Sequence, residues 1–267
     1  MEATDIKLWD HEIPYLSADA EVPNLMTFYR NECKEKLPCI LVFPGGGYSK
    51  RADYEGEPVA HYFVEQGFHA CVVQYRIKPN PYPAPLADAQ RAAKLIRAHA
   101  EEWGVDADRI FMLGFSAGAH LASYAALAED ASAGYGDQAD SYSHRPNGVI
   151  LCYPMLSAKK SRDNMAYTCF SNIVPAGSSL TESDFEPIKL LTEDAPPHFI
   201  WHTAKDSMCT PAAAMEYASR LCELHVNVEL HLFPGGGHGG ALRKESPVIS
   251  KWASLAVDFV HRNGLPQ

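Results

Sequence analysis

The stretch Arg109-Ile-Phe-Met-Leu-Gly114-Phe-Ser116-Ala-Gly118-Ala-His-Leu-Ala122 decides the reading of this chain. An apolar run over residues 110–113 enters Gly114-Phe115-Ser116-Ala117-Gly118, and a helix-like run over residues 119–128 leaves it. Five residues of the form Gly-x-Ser-x-Gly are weak evidence alone, because glycine and serine are common in loops. Between a strand and a helix they become a nucleophile elbow, a turn that lifts a serine hydroxyl to the carboxyl end of a sheet. The glycines have a mechanical role there, since a Cβ at either position would collide with the neighbouring strand or helix. The departing helix also aims its positive end at the site where an oxyanion would develop. The competing reading is an ordinary strand-to-helix turn with a capping serine.

A serine hydroxyl is a poor nucleophile unless a base lies within hydrogen-bond reach and a third group orients that base. The chain offers both, in the order serine, acid, histidine. Residues 197–203 read as a buried strand that ends in Ala204-Lys205-Asp206-Ser207. Asp206 thus follows a strand's carboxyl end, where open parallel sheets place their chemistry. Val226, Val228, Leu230 and Leu232 then alternate with Asn227, Glu229 and His231, as in a half-buried strand. That strand runs into Phe233-Pro234-Gly235-Gly236-Gly237-His238. Among twelve histidines, only His238 combines a strand exit, a flexible loop and the right chain order. His99, His120, His202 and His231 fall on helices or strands. Asp194 is the rival acid, but it precedes its strand and reads as a solvated loop charge.

A tetrahedral intermediate needs backbone N–H donors aimed at its oxygen. The apolar strand at residues 37–43 opens into Pro44-Gly45-Gly46-Gly47-Tyr48, whose glycines let the main chain approach such an oxygen. Gly46 and Gly47 are the expected donors from this loop, with Ala117 from the elbow. Tyr48, Tyr153 and Pro154 are the candidate substrate contacts. Phe-Pro-Gly-Gly-Gly occurs at Phe43 and again at Phe233, but the flanks differ, so these are two strand exits and no internal repeat. Neither loop has the spacing of a phosphate cradle.

At this point the chain resembles the α/β-hydrolase esterases of the acetyl-xylan-esterase and hormone-sensitive-lipase-like type. The residues that carry the likeness are Pro44-Gly45-Gly46-Gly47-Tyr48, Tyr75-Arg76, Tyr82-Pro83-Ala84-Pro85-Leu86-Ala87-Asp88-Ala89, the elbow, Trp201-His202-Thr203-Ala204-Lys205-Asp206 and His238. They span the chain from about Val22 onward. The Tyr-Pro-Ala-Pro-Leu-x-Asp-Ala segment is more specific than the elbow and is similar to esterases that deacetylate xylan fragments. Two departures stand out. Lipase-like relatives carry His where Pro44 stands, so the oxyanion loop here needs another anchor. Many relatives have Gly where Ala119 stands, a mild change on the first helical turn. The resemblance implies a serine esterase acting on short acyl groups, acetyl first, of carbohydrates such as xylo-oligosaccharides. The alternatives are an arylformamidase or peptidase on the same residues, or a non-catalytic binding protein of the same fold.

Composition bounds the rest. A chain of 267 residues reads as one α/β domain over residues 1–267 that can bury a large core. A formal charge of −10 argues against nucleic acid or an anionic membrane as partner. The expected partner is a small-molecule or oligosaccharide ester; a homo-oligomer is compatible with the sequence. Seven cysteines without paired spacing imply reduced thiols, and no secretory pattern marks the N-terminus, so the expected compartment is cytoplasmic. No apolar run is long enough to span a bilayer. No metal-ligand spacing occurs, and neither metal nor cofactor is expected.

Strands alternating with helices predict the α/β-hydrolase fold, a mostly parallel central sheet covered by helices on both faces. Leu86, Ala89, Ala93, Ile96, Ala100 and Trp103 form the buried face of one helix that Gly104 stops. Residues 70–75 and 148–152 read as further strands. Thr210-Pro211 and Ser246-Pro247 each start a helix, the last with Val248, Trp252, Leu255, Phe259 and Val260 packed inward. Residues 129–147 and 156–196 lack periodicity. The second is expected to be an excursion that forms part of the acyl or sugar pocket.

Overall fold

The computed structural model describes residues 2–17, 24–161 and 164–263. Its strands are β1 (Glu2–Lys7), β2 (Leu25–Arg30), β3 (Leu37–Phe43), β4 (His69–Val73), β5 (Val105–Phe115), β6 (Gly148–Cys152), β7 (His198–Thr203) and β8 (Val228–Phe233). They form one sheet in the order β1-β2-β4-β3-β5-β6-β7-β8. All pairings from β4 across to β8 are parallel. β2 runs antiparallel to both β1 and β4. The six strands from β3 onward match the apolar runs of the sequence. β1 and β2 are additions at one edge: the Glu-Ala-Thr-Asp-Ile-Lys of β1 has no apolar alternation to announce it.

The helices are α1 (Glu57–Glu65), α2 (Ala84–Ala98), α3 (Ala100–Trp103), α4 (Ala117–Leu127), α5 (Tyr167–Phe170), α6 (Pro211–Glu223) and α7 (Lys251–Asn263). They cover both faces of the sheet, and the side-chain period of two divides each strand between them. On β3, Cys39, Leu41 and Phe43 join the core under α2, α4 and α6. Ile40 and Val42 join the opposite core with Phe63 of α1 and Phe259 of α7. Strands buried on both faces read as unbroken apolar runs, which is why β3 to β7 were legible.

Three expectations need correction. The periodic helix is interrupted at His99, and its polar side is buried as well: Asp88, Gln90, Arg91 and Lys94 are all 1% exposed or less. Residues 129–147 supply the cover. Lys94 pairs with Asp130 at 2.6 Å, Arg91 with Asp137, and Gln90 donates to the Glu129 carbonyl. Val248 is 51% exposed because α7 begins only at Lys251. Leu230 and Leu232 are also exposed, since β8 is the open edge of the sheet.

The most heavily bonded buried ion pair joins two of the quoted segments. The Arg76 guanidinium donates Nε to Asp88 Oδ2 at 2.8 Å and Nη2 to Oδ1 at 2.7 Å. The same carboxylate accepts the Arg76 backbone N–H and the Trp9 indole N–H. Asp88 therefore ties the N-terminal segment, the exit of β4 and the start of α2 together. Removing one partner of a buried pair leaves an uncompensated charge and costs about 3–5 kcal/mol. Asp88→Ala is expected to lower the unfolding free energy by that amount, read in urea as a lower midpoint with the slope unchanged. A loss under about 1 kcal/mol would assign the pair no structural weight.

Candidate active site

Ser116 joins β5 to α4 with φ 53° and ψ −115°, a strained conformation for a residue bearing a side chain. The surrounding glycines make it possible. A Cβ on Gly114 would stand 2.2 Å from the Gly118 carbonyl oxygen, on α4. A Cβ on Gly118 would stand 2.0 Å from the Phe43 carbonyl oxygen, at the end of β3. Neither contact is tolerable between heavy atoms, so strand, turn and helix close around two missing side chains.

The exits of β7 and β8 bring two more groups to the serine. His238 Nε2 lies 2.8 Å from Ser116 Oγ, and His238 Nδ1 lies 2.8 Å from Asp206 Oδ2. The other Asp206 oxygen accepts the backbone N–H groups of Met208 and Cys209 at 2.8 and 3.0 Å. Burial works against the Asp206 carboxylate, but His238 and the loop N–H donors outweigh it and hold the group below the usual carboxylate range. With Asp206 ionised, Nδ1 carries the proton and Nε2 is free to accept from the serine. Asp194 is exposed on the loop before β7.

The glycine loop after β3 arrives from the other side. Among the described residues, the N–H groups of Gly46 and Gly47 donate to no protein acceptor. Ala117 is the first residue of α4, so its N–H has no partner inside that helix. The anchoring of this loop, left open by Pro44, is now visible. Tyr75 donates its hydroxyl to the Pro44 carbonyl at 2.6 Å. Glu55 accepts the Gly45 N–H at 2.7 Å. Glu55 escaped the sequence reading entirely, because no spacing or motif sets one loop glutamate apart from its neighbours. Burial pushes its carboxyl upward, opposed by hydrogen bonds from Tyr153 and Gly45.

Tyr48, Tyr153 and Pro154 are not where substrate contacts would be. All three are buried. The Tyr48 hydroxyl is spent on His120 Nδ1 at 2.6 Å. The opposite ring nitrogen of His120 meets the Phe185 carbonyl at 2.7 Å, so that nitrogen carries the proton and Nδ1 accepts from the tyrosine. Burial lowers the pKa of His120 to about 4 and keeps it neutral. The Tyr153 hydroxyl is likewise committed to Glu55 at 2.6 Å, and its ring meets the His238 ring edge-on. These residues build the walls behind the site.

What faces solvent is a cleft of about 700 Å³ with Ser116 and His238 on its surface. Gly46, Gly47, the half-exposed Tyr54, Ala166, Cys169 and Met208 are among the residues that line it. Residues 156–196 therefore reach the cleft through Ala166 and Cys169. Cys209 is buried close by; its thiol is pushed well above the usual range by burial and by the Asp206 charge, so it stays neutral. Among the described residues, no cluster of three His, Cys, Asp or Glu side chains could hold a metal ion. No helix among them is long and apolar enough to cross a membrane.

The family model described as BD-FAE matches residues 26–221. The chain belongs to the BD-FAE family. This BD-FAE chain is 32% identical over 250 residues to endo-1,4-beta-xylanase B of Butyrivibrio fibrisolvens, covering 90% of the chain and 39% of that protein. It is 27% identical over 213 residues to the acetylxylan esterase of Xylanibacter ruminicola, covering 75% of the chain and 40% of that protein. The chain thus spans about two fifths of the length of these relatives. The crystal structure of an acetyl ester-xyloside bifunctional hydrolase from Caldicellulosiruptor lactoaceticus superposes with a TM-score of 0.89 at 32% identity. That match covers 98% of this chain and 96% of that one. The α/β-hydrolase fold expected from the elbow and from the strand–helix alternation is the fold of this chain.

Proposed function

We propose that this chain is a serine carbohydrate esterase that removes short acyl groups, acetyl first, from sugars such as xylo-oligosaccharides. The observation that carries the reading is the relay Ser116–His238–Asp206, with both hydrogen bonds at 2.8 Å and with Ser116 and His238 lining an open cleft. His238 takes the proton of Ser116 as Oγ attacks the ester carbonyl. The N–H groups of Gly46, Gly47 and Ala117 receive the oxyanion. His238 then protonates the departing sugar hydroxyl, and water repeats the cycle on the acyl-enzyme. Asp206 keeps the imidazole in the tautomer that can accept from serine. The catalytic unit is one domain, with residues 156–196 as its substrate-side excursion.

The acetyl and sugar parts of the reading draw on the relatives, whose names join acetyl esters to xylan and xylosides. The excursion adds support against a lipase, because its described α-helix, α5, and its two 3-10 helices are each only 4 residues long, too short for an amphipathic lid. All seven cysteines are free thiols, which supports a reducing, cytoplasmic setting. The deciding experiment is a substrate series: acetylated xylo-oligosaccharides, p-nitrophenyl acetate to octanoate, and N-formylkynurenine. Acetyl esters should give the highest kcat/KM, with no activation at a lipid interface. A preference for octanoate, or for the formamide, would replace this reading.

A further inference from the structure

We propose that Glu55 is a positioning residue that clamps the oxyanion loop to the loop bearing His238, an inference that rests on the serine-esterase reading. Glu55 is 2% exposed, and no lysine or arginine among the described residues pairs with it. A buried carboxylate without a cation is costly unless hydrogen bonds satisfy it. Its two oxygens are satisfied from two different parts of the site. Oε2 accepts the Gly45 N–H at 2.7 Å, one residue before the expected oxyanion donors. Oε1 accepts the Tyr153 hydroxyl at 2.6 Å. That hydroxyl in turn accepts the Ala241 N–H at 3.1 Å, three residues beyond His238. The chain of bonds runs Ala241 to Tyr153 to Glu55 to Gly45, and the Tyr153 ring braces the His238 imidazole with centroids 5.1 Å apart.

The space around Gly45 makes the clamp exacting. A Cβ there would stand 3.0 Å from Ser116 Cβ and 2.8 Å from Glu55 Oε2. The loop is therefore held between the serine and the carboxylate, and one acid fixes oxyanion donors, base and serine against each other. Glu55 itself carries no proton in the reaction. Its effect is on geometry that matters most in the transition state, where donors must meet an oxygen that the ground state does not present.

Glu55→Gln keeps the size and can still accept from Gly45. Its amide nitrogen must then face Tyr153, so that link reverses: the hydroxyl proton loses its acceptor, and the amide N–H competes with Ala241 for the hydroxyl oxygen. With p-nitrophenyl acetate, and rates normalised to sites titrated by an organophosphate, kcat should fall roughly 10- to 100-fold while KM stays within about twofold. Tyr153→Phe should fall in the same direction, and the double variant should lose less than the product of the two, because both cut one chain. The inhibition constant of a trifluoromethyl ketone, whose serine adduct is an oxyanion, should rise by the factor that kcat/KM falls. A role in stability alone would lower the melting temperature and leave normalised kcat and this inhibition unchanged, overturning the clamp. If Glu55→Gln does not fold, Tyr153→Phe decides alone: unchanged kcat overturns the proposal. Ser116→Ala, run on the same ester, separates the two readings. Hydrolysis surviving there overturns the serine esterase and the clamp with it; hydrolysis lost there but undiminished in Glu55→Gln overturns the clamp only.

Discussion

Ser116→Ala is expected to lower kcat/KM for p-nitrophenyl acetate about a millionfold while leaving the protein folded. The substitution deletes one oxygen. On the proposed reading it removes the atom that attacks and leaves His238 with nothing to deprotonate. The residual rate comes from binding and from the backbone donors, which do not depend on the hydroxyl. Stability should change little, because alanine at φ 53° is no more strained than serine and the position is only half-buried. A serine-directed organophosphate should add its mass to the peptide holding Ser116. An adduct on another residue, or an alanine variant that keeps its activity, would move the nucleophile elsewhere.

Asp206→Asn should cost roughly ten-thousandfold in kcat, through the tautomer of His238. The surroundings dictate how the amide must sit. Met208 and Cys209 both present N–H donors to Oδ1, so the amide oxygen is drawn to that side. Its nitrogen then faces His238 Nδ1 and donates to it. The ring proton moves to Nε2, which can no longer accept from Ser116. Asp194→Asn, on an exposed loop, should leave kcat within about twofold. Equal losses at the two positions, or the reverse order, would assign the acid wrongly.

The parts of this protein legible in its sequence are those whose chemistry is local. Gly114 and Gly118 flank Ser116 within five residues, and the collisions they avoid follow from the turn itself. β3 to β7 are buried on both faces, so their apolar runs stand out. Asp206 and His238 follow strand ends, and parallel strands deliver their ends to one edge. What the sequence did not yield depends on which distant element covers which. Tyr48 and Tyr153 look like pocket residues until His120 and Glu55 turn out to occupy their hydroxyls. Arg91 and Lys94 lie off the apolar face of their helix, and only the cover of residues 129–147 buries their charges. Leu230 and Leu232 look buried until β8 proves to be the last strand. Glu55 stands ten residues from Gly45 and ninety-eight from Tyr153, a separation that no local pattern encodes.

The contact between Gly118 and the carbonyl of Phe43 has a further consequence for variation in this chain. Phe43 is the residue immediately before the glycine loop, and Gly118 lies two residues after the serine. The distance between the two halves of the site is thus gauged by a single hydrogen atom. Enlarging that atom to a methyl would act as a wedge, driving the loop outward without touching any group that meets substrate. Mutational drift can alter the rim of the cleft, where Tyr54 and Met208 stand exposed, independently of this gauge. On the proposed esterase reading, specificity and rate then lie in separate parts of the molecule, and a library built on the rim would vary the alcohol while this spacing stays fixed.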